Sequence, residues 1–258
     1  MNRVNDIVID VEEAGYRNTI VFRDLHLRIP GYKITVILGP NGSGKTTLLR
    51  MLFKRVKYRG TIVIDFKELA KIHGSNIAKL LAYMGDISLP EMMGLRVFEA
   101  LLISRSSLYT GLLEKDKDIR EAEAVMVETG IKHLSDRRLS ELSSGELRKV
   151  VLAMALVKRP KYLLLDEPDS HLDILSKIEI SRLIKRYRGG TTIIIATHDP
   201  VFAVNTADYF ILLRDGRIID KGTIEEVIGR KSIEKVFGAK LKYVYDKGKL
   251  IGIIPIYG

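Results

Sequence analysis

A chain of 258 residues, 46% of them hydrophobic, is long enough to bury one large α/β core. It has no cysteine, which excludes disulfides and thiolate metal sites, and it lacks tryptophan and glutamine while being rich in Ile, Lys, Arg and Glu, a bias shared with thermophile proteins. The formal charge of +10 is spread over small clusters such as Lys54, Arg55, Lys57 and Arg59 with no nucleic-acid-reading motif beside them, so a solvated surface or nearby anionic lipid accounts for it and no nucleic-acid partner is expected.

The first 13 residues alternate apolar and charged side chains as a strand does and carry no apolar signal-peptide core, so export is not expected and the N-terminus reads as antiparallel β structure. Short β-rich runs follow at Ile34–Leu38, Thr61–Asp65, Tyr162–Leu165, Thr191–Ala196 and Tyr209–Leu213, alternating with helical stretches. That pattern predicts an α/β fold with a mostly parallel, buried sheet. From about residue 88 to 145 the pattern changes: Val97–Ser104 and Ile119–Thr129 have helical spacing with no buried strand between them, which predicts a helical lobe inserted in a single domain spanning 1–258. Asp215-Gly216 and Lys247-Gly248 predict tight hairpin turns in a C-terminal extension over about 215–258. No apolar run approaches the ~20 residues of a membrane-spanning helix.

Chemistry concentrates in three places. Gly39-Pro-Asn-Gly-Ser-Gly-Lys-Thr46 fits the phosphate-binding loop G-x-x-x-x-G-K-[ST], after an apolar strand and before the helical stretch Thr47–Lys54. In such a loop the backbone N–H groups of Asn41, Gly42, Ser43, Gly44, Lys45, Thr46 and Thr47 cradle phosphate, the Lys45 ammonium neutralises it and the Thr46 hydroxyl ligates Mg²⁺. A Gly-rich turn without function is the competing reading, and the flanking strand and helix argue against it. Next, Lys161-Tyr-Leu-Leu-Leu-Asp-Glu-Pro168 is a buried strand ending in two acids, of which Asp166 suits the metal and Glu167 the attacking water. The pair could instead cap the next helix, but it gains weight from the phosphate loop. Finally, Leu142-Ser-Ser-Gly-Glu146 reads as a capping box, Ser143 with Glu146 three residues on.

That last segment resembles the Leu-Ser-Gly-Gly-Gln signature of the ATP-binding cassette family, with Ser144 in place of a glycine and Glu146 in place of the glutamine. The resemblance runs over nearly the whole chain and implies a P-loop ATPase that binds ATP and Mg²⁺. It implies that Ser143, Ser144, Gly145 and Glu146 face the nucleotide of a second ATP-binding subunit, with Asp173 of the loop Asp169–Asp173 also at that contact. His198 looks like the family's γ-phosphate histidine, Glu167 and Lys45 complete the catalytic set, and Tyr16, with Phe22 as competitor, is placed to stack on adenine. Leu81-Ala-Tyr-Met-Gly-Asp86 resembles a segment reading Ile-Ala-Tyr-Val-Pro-Gln in the family, so Asp86 stands where a metal-ligating glutamine is usual; a tolerated surface acid is the alternative there.

The segments Ser170–Ile174, Leu112–Asp118, Ile131–Arg137, Gly222–Ile228 and Val236–Gly238 look most like importers of iron chelates, haem and cobalamin. The implied partners are transmembrane permease subunits and an extracytoplasmic solute-binding protein, with the chain cytoplasmic on the inner face of the membrane. A cytosolic cassette ATPase without a membrane partner is the contrasting expectation; a regulator without hydrolysis would have lost Glu167 or His198, and both are present.

Overall fold

The computed structural model describes residues 6–85, 89–106, 108 and 115–256. Strand β1 (Ile7–Tyr16) alternates buried and exposed residues, sinking Ile7, Ile9 and Val11 into the core. It pairs antiparallel with β2 (Thr19–Ile29). After β3 (Ile34–Leu38), buried along its whole length, come α1 (Lys45–Leu52), β4 (Lys57–Ile64), the two-residue β5 (Lys67–Glu68), α2 (Gly74–Leu80) and β6 (Leu81–Met84). One expectation fails here. Thr61–Ile64 belongs to β4 of the N-terminal sheet, ordered β2-β1-β4-β5, and runs antiparallel to β1 with Asp10 opposite Thr61. The segment is as apolar as the parallel strands, but it is buried on one face only, a difference composition does not show. Asp65 lies beyond the strand, where Asp65 (φ 52°) and Phe66 (φ 62°) turn the chain into β5.

Next come α3 (Leu89–Met92), α4 (Val97–Ser106), α5 (Lys115–Glu128) and α6 (Ser144–Leu156). The chain then forms β7 (Tyr162–Asp166), α7 (Ile174–Arg186), β8 (Thr192–Thr197), α8 (Pro200–Thr206), β9 (Tyr209–Arg214) and β10 (Arg217–Gly222). It ends in α9 (Ile224–Gly229), α10 (Ser232–Phe237), β11 (Leu241–Asp246) and β12 (Lys249–Pro255). The main sheet has six strands ordered β10-β9-β3-β8-β7-β6, parallel except for β10. Period-two alternation sends its side chains into two cores. Leu164 and Ile194 meet α1 and the N-terminal sheet, whereas Leu163, Leu165, Ile193 and Ile195 meet α6, α7 and α8.

Helices α4 and α5 follow the predicted spacing. They are joined by an ion pair sealed from solvent: Arg105 Nε donates to Asp118 Oδ1 at 2.6 Å and Arg105 Nη1 to the Val157 carbonyl at 2.5 Å, beyond the end of α6. A second, more open cluster gathers on Glu128 at the end of α5, which accepts both Arg159 Nη groups and the Tyr187 hydroxyl, each at 2.7 Å. The C-terminal turns form as expected, with Asp215 (φ 49°) and Gly216 (φ 71°) joining β9 to β10, and Lys247 (φ 47°) and Gly248 (φ 77°) joining β11 to β12.

Candidate nucleotide-binding site

Four adjacent parallel strands end at one edge of the main sheet. There β3 delivers Gly39, β8 delivers His198, β7 delivers Asp166 and Glu167, and β6 delivers Gly85. Polar groups collect at this edge because the strands behind it are fully buried and the chain must leave the sheet there. A cavity of about 630 Å³ opens over it, floored by the phosphate loop and walled by Asp166, Glu167 and Ser170.

The loop is built for an anion. Gly44, at φ 105°, caps α1 with no side chain, leaving the first N–H groups of the helix without a side-chain cap. A side chain there would also meet Phe22, whose Cζ lies 3.0 Å from an added Cβ. Lys45 Nζ donates to the carbonyls of Gly39 and Pro40 at 3.0 and 2.9 Å, within the loop itself. Burial pulls its ammonium below the usual lysine range, against the opposing charges of Glu167, Asp166 and Asp169. Asn41, Gly42, Gly44, Lys45, Thr46 and Thr47 line the cavity, while Ser43 is buried beneath them.

Thr46 Oγ1 donates to Asp166 Oδ1 at 2.9 Å, bringing the two expected metal-holding oxygens together across the sheet. Among the described residues no cluster of three or more His, Asp or Glu could hold an ion alone. A pair of hard oxygens beside a phosphate cradle fits Mg²⁺, which keeps water and phosphate oxygens as its other ligands. Burial raises the Asp166 carboxyl above its usual range, against hydrogen bonds from Thr46 and Tyr83 that lower it.

Glu167 sits at φ 47°, just past the end of β7. Burial pushes its carboxyl up, but hydrogen bonds from Ser170 Oγ at 2.7 Å and His198 Nδ1 at 3.1 Å prevail, so the net shift is downward and the group is an ionised base at neutral pH. A carboxylate accepts only, so Nδ1 of His198 carries the proton in this pair. The adjoining Asp169 is buried, accepts the Thr197 hydroxyl at 2.9 Å, and has its other oxygen without a partner among the described residues. The sequence resemblance places Asp169 and Ser170 in the loop Asp169–Asp173 toward a second subunit, but their contacts with Thr197 and Glu167 have no signal in the sequence.

The other expected residues lie elsewhere. Tyr16 is exposed at the end of β1, outside the cavity, and Phe22 is fully buried with no face for a ligand. Ser143 is the N-cap of α6: it accepts from Glu146 N at 3.3 Å and its own N donates to Glu146 Oε2 at 2.9 Å, the capping box the spacing predicts. Ser143, Ser144, Gly145 and Glu146 do not line the cavity, nor does Asp173, the N-cap of α7. Asp86 lies outside the described residues.

Residues 22–170 match the ABC transporter family. Over 248 residues the chain is 33% identical to the iron(3+)-hydroxamate import ATP-binding protein FhuC of Bacillus subtilis, covering 94% of this chain and 91% of that one. It is 31% identical to the petrobactin import ATP-binding protein FpuC of Bacillus anthracis, covering 91% and 88%. Among solved structures, an inward-facing ABC transporter assigned to the metal-chelate type superposes with a TM-score of 0.81 at 21% identity, covering 99% of this chain and 98% of that one, which speaks for the fold. With the phosphate loop, the paired acids and the signature helix in one α/β frame, the chain belongs to the ABC transporter family and is an ATP-binding subunit that hydrolyses ATP to power transport.

Proposed function

We propose that this subunit energises import of an iron chelate or related metal complex, and that it works as an ATP-dependent dimer on the inner face of a membrane through permease subunits. The observation that carries the catalytic part is the meeting of Thr46 with Asp166 at 2.9 Å beside Glu167 at one sheet edge. The names of the two import relatives support the cargo class, and they disfavour a cytosolic ATPase without a membrane partner. Among the described residues no helix is long and apolar enough to cross a membrane, so attachment rests on the permease. A solute-binding protein outside the membrane completes the proposed assembly. The helices between about 88 and 145 serve as the lobe turned toward the permease, within one domain that spans 1–258 and carries its C-terminal extension from about 215.

In this reading the phosphate loop binds the β- and γ-phosphates, with Lys45 leaving the carbonyls of Gly39 and Pro40 to meet them. Thr46 and Asp166 would hold Mg²⁺, which would supply positive charge to offset that of the phosphates. Glu167, fixed by Ser170, takes a proton from the attacking water, and His198 stands beside it to contact the γ-phosphate. Tyr16 offers its exposed ring to adenine. The starts of α6 and α7, which do not line the subunit's own cavity, face the partner's nucleotide through Ser143–Glu146 and Asp173.

The test is Glu167→Gln. It should leave ATP affinity within about twofold and lower the hydrolysis rate by at least about 100-fold, the usual contribution of a positioned general base. With saturating Mg·ATP, light scattering after size exclusion should show a dimer. Wild-type turnover would remove Glu167 from the mechanism, and a strictly monomeric species would remove the dimer.

A further inference from the structure

Tyr83 lies on β6, and its phenol crosses to the neighbouring strand, where the hydroxyl donates to Asp166 Oδ2 at 2.9 Å. Because Thr46 occupies Oδ1 at the same distance, each oxygen of this carboxylate carries one hydroxyl. The ring itself is held on two further counts. It stacks on Phe53, with centroids 5.4 Å apart and planes 27° apart, and the Arg55 guanidinium sits 5.5 Å above Phe53. Arg50, on α1, hydrogen-bonds the hydroxyls of both Tyr83 and Tyr16. The direction of this chain is fixed by chemistry: arginine only donates and a carboxylate only accepts, so Tyr83 accepts from Arg50 and donates to Asp166.

Room for the ring comes from Gly85. A Cβ added at that position would fall 2.1 Å from Oη, 2.2 Å from Cζ and 2.4 Å from Cε1 of Tyr83, so the hydroxyl end of the phenol lies against residue 85. A side chain at this position would have to displace the phenol from where it stands. Gly85 also lines the nucleotide cavity, which places this contact at the site rather than behind it.

We infer that Tyr83 is a positioning residue for the metal-holding carboxylate: through its hydroxyl it fixes the orientation in which Asp166 meets Mg²⁺·ATP, and Gly85 is the space that lets it do so. This rests on the reading of Asp166 as a holder of Mg²⁺. A tyrosine that only filled the core would support stability and leave the metal requirement alone. The positioning role instead separates nucleotide binding with Mg²⁺ from nucleotide binding without it.

The experiment is calorimetric titration of the full chain with ATP, once in excess Mg²⁺ and once in EDTA, for wild type, Tyr83→Phe, Gly85→Ala, Asp166→Asn and the pair Tyr83→Phe with Asp166→Asn. Tyr83→Phe keeps the ring on Phe53, and a thermal melt checks the fold. Its affinity in EDTA should match wild type, while its Mg²⁺·ATP affinity should fall roughly tenfold, the loss of one hydrogen bond to a charged group. Gly85→Ala should reproduce that split by displacing the phenol. Adding Tyr83→Phe to Asp166→Asn should cost little further Mg²⁺·ATP affinity, since the carboxylate that Tyr83 orients is already gone. Equal affinities for Tyr83→Phe and wild type in Mg²⁺, a loss of the same size in EDTA, or full additivity with Asp166→Asn would overturn the role of Tyr83 while leaving Asp166 in place. An Asp166→Asn protein with an unchanged Mg²⁺ requirement would overturn the reading of Asp166 itself, and the inference with it.

Discussion

Two regions of this subunit bury charge, and they do so in opposite ways. Between α4 and α5 the Asp118 carboxylate meets a guanidinium of the opposite sign, with side-chain exposures of 1% and 4%, and the arginine spends a further N–H on the Val157 carbonyl. At the sheet edge Asp166 is met by two neutral hydroxyls, Asp169 by one, and Lys45 by two carbonyls of its own loop. The first arrangement is closed, with each charge answered by its opposite. The second holds its groups in place through hydrogen bonds from neutral partners, which leaves room for the phosphate and cation that the proposed function would bring. Neutralised burial marks a structural joint, and burial held by neutral partners marks a site.

Breaking the closed pair should have the largest effect. Asp118→Ala strands the Arg105 guanidinium in the lobe and should cost about 3–5 kcal/mol in chemical unfolding, whereas replacing both partners with Met and Leu should be far milder. A penalty as large for the double replacement would mean the pair does more than neutralise itself.

The open region sharpens the comparison through pH. Burial raises the Asp169 carboxyl, with the Asp199 charge adding to the rise and the Thr197 hydroxyl and Lys177 opposing it. The native state therefore holds a proton that the unfolded chain has already released, and stability falls as pH rises from the ordinary carboxylate range through the raised value. Asp169→Asn should remove that fall, so that variant and wild type differ at neutral pH and converge in acid when unfolding free energies are compared. Parallel pH profiles would place Asp169 with the neutralised charges.

The smallest effect belongs to the Glu128 cluster, which stands between the two cases. Hydrogen bonds from Arg159 hold the Glu128 carboxyl below its usual range, outweighing burial, with the Tyr187 hydroxyl assisting. Its contribution is present above the ordinary carboxylate range and is lost as pH falls through the lowered value. The Glu128 side chain is 41% exposed, so Arg159→Ala should cost about 1 kcal/mol or less after solvent screening. A loss as large as that of Asp118→Ala would show that exposure does not set the scale here.

Much of this was legible in the residues. The phosphate loop could be read because its glycines, lysine and threonine are contiguous between a strand and a helix, and the two acids because they end an apolar run. The capping box of Ser143 and Glu146 is likewise a local spacing. What remained hidden depends on pairs distant in sequence. Tyr83 and Asp166 are 83 residues apart, and only the pairing of β6 with β7 brings them together. The sheet to which Thr61–Ile64 belongs is not legible in the sequence, because one-sided burial leaves no mark on a run of β-branched residues. The Asp65–Phe66 turn lacked the glycine that announces the hairpin turns at Asp215-Gly216 and Lys247-Gly248. Nothing local in the sequence marks Gly85, because the reason for a glycine there is the Tyr83 ring beside it.

The left-handed backbone at Glu167 has a consequence for how this sequence can drift. At φ 47° a glycine would sit more comfortably, so selection for folding alone favours losing the side chain proposed to activate water. A copy of this chain released from transport would be expected to shed Glu167 early and gain robustness by doing so, while the loop from Gly39 to Thr46, whose glycines already suit their conformations, would persist. Glutamate at this position stands against the preference of its own backbone.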